Sequence, residues 1–176
     1  GEHSVRVAVD IGDARPREKR WSFTVDCSDE PTTPKDATVL NLYFADSPLV
    51  VEGFSSETGY VTKVQRAIPR TQRPALRAVE ELISGTAKRD GEVGRTLPVG
   101  AKIFSVAIQD RVAYVDLHES CQMLHPGGTT GGAITAQSLI MTLTEFPTVD
   151  RVQVLVAGQP WCDGHFVWEE PVARPR

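Results

Sequence analysis

The segment GGAITAQSLIMTLTEFPTVDRVQVLVAGQP (residues 131–160) changes its hydrophobic period once, and that change sets the architecture. From Ala133 to Phe146 the apolar residues recur at helical spacing. Ala136, Leu139, Ile140, Leu143 and Phe146 form the stripe, and Ile134 and Met141 widen it. Pro147 cannot continue a helix and ends it. Val152, Val154 and Val156 then fall at every second position, as in a strand, and AGQP closes the run. A helix delivered onto a strand in this way has to bury its stripe against a sheet.

Upstream, AKIFSVAIQDRVAYVDLHE (residues 101–119) reads as a β-hairpin. Phe104, Val106 and Ile108 share one face, and Ala113, Val115 and Leu117 share a face of the partner strand. The turn falls near Asp110-Arg111. A type I′ turn favours glycine after the aspartate, so Arg111 predicts a different turn or a bulge. In TQRPALRAVEELISG (residues 71–85), Ala75, Val79, Leu82 and Ile83 lie on one helical face, with Pro74 in the first turn and Gly85 just past the end. Glu80 and Glu81 point away from that face, toward solvent. Leu40, Leu42 and Phe44 mark a strand. Leu49–Val51 suggests a short one, and Tyr60, Thr62, Val64 and Ile68 mark a weaker one. The order β-β-α-β-β-α-β makes an α+β fold: a mostly antiparallel sheet with two helices on one face.

Residues 1–26 form a separate pattern. Val5, Val7, Val9 and Ile11 alternate, then Trp21, Phe23 and Val25 alternate, which predicts a β-hairpin whose aromatics belong to a core. CSDEPTTPKDA (residues 27–37) has no periodicity and reads as a linker. The main domain is expected over residues 38–172, with a tail at 173–176. A chain of 176 residues is one domain or one domain plus a fragment. The net charge of −4 comes without a basic stripe, which excludes nucleic acid as an expected partner. No apolar run approaches the length of a membrane span.

Two family resemblances add to this. HSVRVAVDIGD with KRWSFTVD resembles the last two strands of bacterial immunoglobulin-like domains, which implies that residues 1–26 are the C-terminal part of one. The main segment resembles the sporulation and spore-germination (GerMN) domain family. The residues that carry this are VLNLYFAD (39–46), PRTQRPALRAVEELISG (69–85), LPVGAKIFSVAIQDRVAYVDL (97–117), residues 131–160 and the closing EPV (170–172). The resemblance implies a non-enzymatic assembly module of bacterial lipoproteins and other envelope proteins. Such a module works outside the cytoplasmic membrane, anchored to it in the full-length protein. Its partners would be envelope proteins, including similar domains. The family carries no catalytic motif to transfer. HESCQMLHP (118–126) and WCDGH (161–165) depart from its usual pattern.

Those departures hold the reactive residues. Zinc needs thiolates and imidazoles converging in a tetrahedron. His118, Cys121, His125, Cys162 and His165 supply the ligand types, with two pairs three residues apart, though neither pair is a zinc knuckle. One alternative function is therefore a zinc- or thiol-dependent enzyme at this cluster. In an oxidising compartment Cys121 and Cys162 can instead form a disulfide, worth about 2–4 kcal/mol. PGGTTGG (residues 126–132) lacks the lysine and hydroxyl residue of a phosphate loop, so its expected role is to turn the chain and let Thr129 or Thr130 cap the helix. Ser138 lies in a helix with no nucleophile elbow. No catalytic residue, cofactor or metal ligand is assigned. Trp161, Phe166 and Trp168 form either an edge strand over the core or an exposed patch for partner binding. The same aromatics would be the platforms of a second alternative, a cell-wall glycan or peptide binding domain.

Overall fold

The computed structural model describes residues 2–9, 17–24, 37–47, 59–87, 90–123, 128–162, 164 and 167–175. The linker residues 27–36, including Cys27, lie outside that set, as do Ile11, Val25 and the expected strand Leu49–Val51. The chain divides into two compact units, Gly1–Thr33 and Pro34–Arg176. In the first, β1 (Glu2–Val9) pairs antiparallel with β2 (Arg17–Thr24). Val5 lies opposite Trp21 and His3 opposite Phe23.

The second unit runs β3 (Ala37–Asp46), β4 (Val61–Pro69), α1 (Pro74–Ser84), β5 (Val93–Gly94), β6 (Ile103–Gln109), β7 (Val112–Leu117), a 3-10 turn (Glu119–Met123), α2 (Gly128–Leu143), β8 (Arg151–Val156), β9 (Gln159–Pro160) and β10 (Val172–Ala173). This is the α+β order read from the sequence, with three two-residue strands added. The strands divide into two sheets, ordered β4-β3-β5 and β10-β8-β7-β6, with β9 also on β8. Every described pair is antiparallel except β7 with β8. Those two are joined through α2, and a crossover of that length permits parallel pairing.

Helix α1 begins with Pro74 in its first turn, where a missing N–H costs nothing. It ends at Gly85 (φ 87°), whose N–H bonds the carbonyls of Glu81 and Leu82 at 3.1 Å. Ala75, Ala78, Val79 and Leu82 are buried. Helix α2 starts at Gly128, earlier than its apolar stripe. Thr129 and Thr130 therefore sit inside the first turn rather than at a cap.

Helix α2 is covered on more than one side. Ala136, Leu139, Ile140 and Leu143 enter the main core with Leu40, Leu42, Phe44, Val115 and Val154. Ile134 and Met141 pack on Tyr43, Ala45 and Val61. Its buried hydroxyls meet the side of β3 turned away from β4. Tyr43 N–H donates to Thr142 Oγ1 at 3.0 Å, and Ser138 Oγ donates to the Tyr43 carbonyl at 2.6 Å. Thr135 Oγ1 donates to the Thr96 carbonyl at 2.6 Å. A helix thus satisfies backbone groups that a further strand would otherwise take.

The β6–β7 hairpin differs from expectation in two places. Gln109 pairs with Val112, and both loop residues have positive φ (Asp110 48°, Arg111 62°), so the turn is type I′ without glycine. Arg111 is held there from outside the hairpin. Its guanidinium grips both carboxylate oxygens of Asp150, and its carbonyl accepts N–H bonds from Asp150 (2.8 Å) and Arg151 (3.2 Å). The bulge lies instead between Ile103 and Ser105. It sets Ile103 opposite Leu117 and leaves Phe104 59% exposed, with its ring 4.9 Å from that of His118.

Candidate functional site

The two tryptophans considered for partner binding are core residues. Trp161 and Trp168 are almost fully buried. The cause is the tight turn after β8: Ala157 (φ 50°) and Gly158 (φ 76°) fold the chain back, and Gly158 N–H donates to Asp116 Oδ1 at 3.0 Å. Trp161 N–H then bonds the Val154 carbonyl (3.1 Å), Trp168 N–H bonds the Trp161 carbonyl (2.9 Å), and Cys162 bridges to Val167. Trp161 and Trp168 cover the core rather than presenting a patch. Phe166 lies outside the described residues.

Among the described residues, the sulfur and imidazole side chains do not gather. Cys121 is buried and Cys162 is exposed, and both are free thiols, so the expected disulfide is not formed. Cys121 Sγ sits at the Lys102 backbone, 3.4 Å from N and 3.5 Å from O. His118 Nδ1 is engaged by Ser120, 2.9 Å from Oγ and 3.1 Å from N. His125 and His165 lie outside the described residues. Among the described residues no three His, Cys, Asp or Glu side chains form a metal-sized group.

Two polar clusters were not read from the sequence. Arg66 is buried in β4, on the face shared with Val64 and Ile68. An arginine at an inward position of a strand was the available signal. Its guanidinium donates to Glu81 Oε2 (3.0 Å), the Gly85 carbonyl (2.7 Å) and the Asp90 carboxylate, and it lies 4.8 Å from the Phe44 ring centre. Arg95 reaches the carbonyls of Ile83 and Ser84. Two cations therefore occupy the negative end of α1, and Glu81 is paired rather than simply solvated.

The second cluster surrounds Glu145, just past α2. It accepts bonds from Tyr43 OH (2.7 Å), Asn41 Nδ2 (2.8 Å), Lys63 Nζ (3.2 Å) and Arg174 (3.1 Å). Arg174 also donates to the Tyr43 hydroxyl at 2.8 Å. Burial would raise the Glu145 carboxyl, but hydrogen bonds from Tyr43, Lys63, Arg174 and Asn41 outweigh it and hold the group at about 2. Burial, with the Glu145 carboxylate, pushes the Tyr43 hydroxyl up. Both clusters are clasps, and their charges are spent on one another.

The larger sheet has one long outward edge among the described strands. Strand β6 ends its sheet, and no described strand pairs with its outer side. The type I′ turn closes on the hydrogen-bonded pair Gln109–Val112. Alternation then directs the backbone of Ser105, Ala107 and Gln109 to β7 and that of Val106 and Ile108 outward. Ile108 (41% exposed) and Phe104 stand on this edge. Ile108 also lines a groove of about 220 Å³, with Pro74, Leu76, Val106 and Phe146 among others.

The chain matches the Germane family, described as sporulation and spore germination, over residues 41–162. It belongs to that family. The Germane match runs from within β3 to Cys162 and includes all of β6, both helices and the β8–β9 turn. Three solved structures share the fold. The first GerMN domain of the sporulation protein GerM from Bacillus subtilis is 21% identical, with a TM-score of 0.54, over 69% of this chain and 84% of that one. The tandem GerMN domains of the same protein give 0.60 at 19% identity, over 78% of this chain and 46% of that one. A candidate lipoprotein from Clostridium perfringens gives 0.53 at 19% identity, over 82% of this chain and 92% of that one. No curated protein matches the chain. No helix among the described residues is long and apolar enough to cross a membrane.

The Germane unit has a second long edge, on β4, and the two edges differ. Strand β4 carries Lys63 and ends in Pro69-Arg70, residues that discourage another strand from adding. The seven residues of β6, IFSVAIQ, contain no charge and no proline.

Proposed function

We propose that this chain is a non-enzymatic protein-binding module of the bacterial cell envelope, working outside the cytoplasmic membrane in a membrane-anchored protein. It takes an extended segment of a protein partner along β6. The carrying observation is the uncharged outer edge of β6, with Ile108 partly exposed in the lining of an apolar groove. A strand added there gains main-chain hydrogen bonds from Val106 and Ile108, and the groove accepts its apolar side chains. Membership in the sporulation and spore germination family supports the setting. Burial of Cys121, Trp161 and Trp168 removes the main residues on which a thiol enzyme or a glycan platform would rest. The N-terminal hairpin is read as the end of an immunoglobulin-like domain.

The test is site-specific photo-cross-linking in the source bacterium. A photoreactive residue replaces Ile108 in β6 or, as control, Gln65 in β4. Protein adducts at 108 and none at 65 are expected. Equal labelling at both positions, or none at 108, would overturn the assignment of β6 as the docking edge.

A further inference from the structure

We infer that the partner segment docking on β6 carries an apolar side chain and a carboxylate two residues apart, the first for the groove at Val106 and Ile108 and the second for Arg73. This rests on the protein-binding reading above and names the chemistry of the partner. Val106 and Ile108 have outward backbone groups on β6, and both residues also line the groove. A strand that takes up those backbone groups therefore lays every second side chain along the groove. Pro74, Leu76 and Phe146 give such a side chain apolar walls. A lipid chain would fill the walls but leave the backbone groups of β6 unused, which favours an extended peptide.

Charge supplies the second element. Among the residues lining the groove, Arg73 alone is charged. It is exposed and has no acid partner among the described residues, whereas Arg77, one turn on, is paired with Glu80 and Glu81. Arg70, exposed in the same connection before α1, adds charge of the same sign. Helix α1 begins with no side-chain cap and no acid in its first turn. Its first backbone bond runs from the Arg77 N–H to the Arg73 carbonyl at 3.1 Å. The N–H groups of Ala75 and Leu76, two lining residues, thus have no partner within the helix and reinforce Arg73. This end of the groove is positive on a chain of net charge −4, and a carboxylate is its complement. Residues two apart on a strand share a face and lie about 7 Å apart, so the partner's acid and its groove residue stand on the same side.

The test is photo-cross-linking in the source bacterium from a photoreactive residue at position 108, with the adduct digested and its partner peptide sequenced. The labelled segment should hold an acid two residues from an apolar residue. Arg73→Glu should lower the adduct yield about tenfold and Arg73→Lys should keep most of it, while Arg151→Glu, the same charge change on an exposed residue of β8, should alter it less than about twofold. Arg73 is exposed and an acid suits the start of a helix, so the fold is retained, which thermal melting confirms. Three results would overturn the inference and leave the protein-binding reading standing. They are a protein adduct that survives Arg73→Glu, an equal fall with Arg151→Glu, or a labelled segment, from another protein or a second copy, with no acid at that spacing. A lipid adduct, or no adduct at 108, would overturn both.

Discussion

Replacing Glu145 with glutamine separates the charge of its cluster from its shape. The carboxyl lies at about 2, against an ordinary 4.5. By proton linkage that difference stabilises the fold at neutral pH by at most roughly 3 kcal/mol. Lys63 and Arg174 are 44% and 37% exposed, so solvent screens part of the attraction, leaving about 1.5 kcal/mol. The folded value is the lower one. The stabilisation is therefore complete above the unfolded value near 4.5 and is lost as pH falls toward 2, with about half remaining at pH 3. Glutamine keeps the shape and some hydrogen bonds but not the charge. Glu145→Gln should cost about 1.5 kcal/mol at pH 7, or ~4 °C in Tm. The gap to wild type should narrow to about half by pH 3. Urea denaturation of both proteins across that range reads it directly. An equal gap at pH 7 and pH 3, or one below about 0.3 kcal/mol at pH 7, would refute the reasoning.

Three further outcomes follow from the described contacts. Arg66→Ala takes the opposite charge from the nearly buried carboxylate of Asp90 and removes the clasp on α1, and should cost about 3 kcal/mol or more in urea denaturation. A loss under about 1 kcal/mol would contradict that. Ser138→Ala leaves the Tyr43 carbonyl without its hydroxyl donor and should cost about 1–2 kcal/mol, read the same way, whereas an unchanged midpoint would contradict the edge-closing role of α2. In the native protein a small alkylating reagent should modify Cys162 rapidly and Cys121 only after unfolding, as tracked by peptide mass; labelling at equal rates would contradict the burial of Cys121.

The parts of the fold legible in the sequence were those with a strong period. The stripe from Ala136 to Leu143 and the alternation of Val152, Val154 and Val156 identify α2 and β8 because burial acts on every repeat. The α1 boundaries were legible because Pro74 and Gly85 act through local backbone geometry. Contacts between distant segments left little trace. Nothing near Asp110-Arg111 shows that Asp150, 39 residues away, holds the turn. The hydroxyls of Thr135, Ser138 and Thr142 look like ordinary polar positions of a helix until β3 is placed against them. The bulge exchanges Ile103 for Phe104 on the inward face, a one-residue change that alternation cannot detect. For the candidate site, aromatic content pointed to Trp161 and Trp168, whereas exposure depends on the Ala157-Gly158 turn that folds them inward. The outward edge needed the strand order, because seven uncharged residues read equally well as a central strand.

The openness of β6 is tested most directly by residue-resolved amide hydrogen exchange on the free chain and then with the segment captured at position 108 bound. In the free chain, Ser105, Ala107 and Gln109 should exchange slowly, bonded to β7, while Val106 and Ile108 should exchange fast. On binding, the fast pair should become protected. Protection of Val106 and Ile108 already present in the free chain would mean that the edge is covered, and β6 could not be the docking strand.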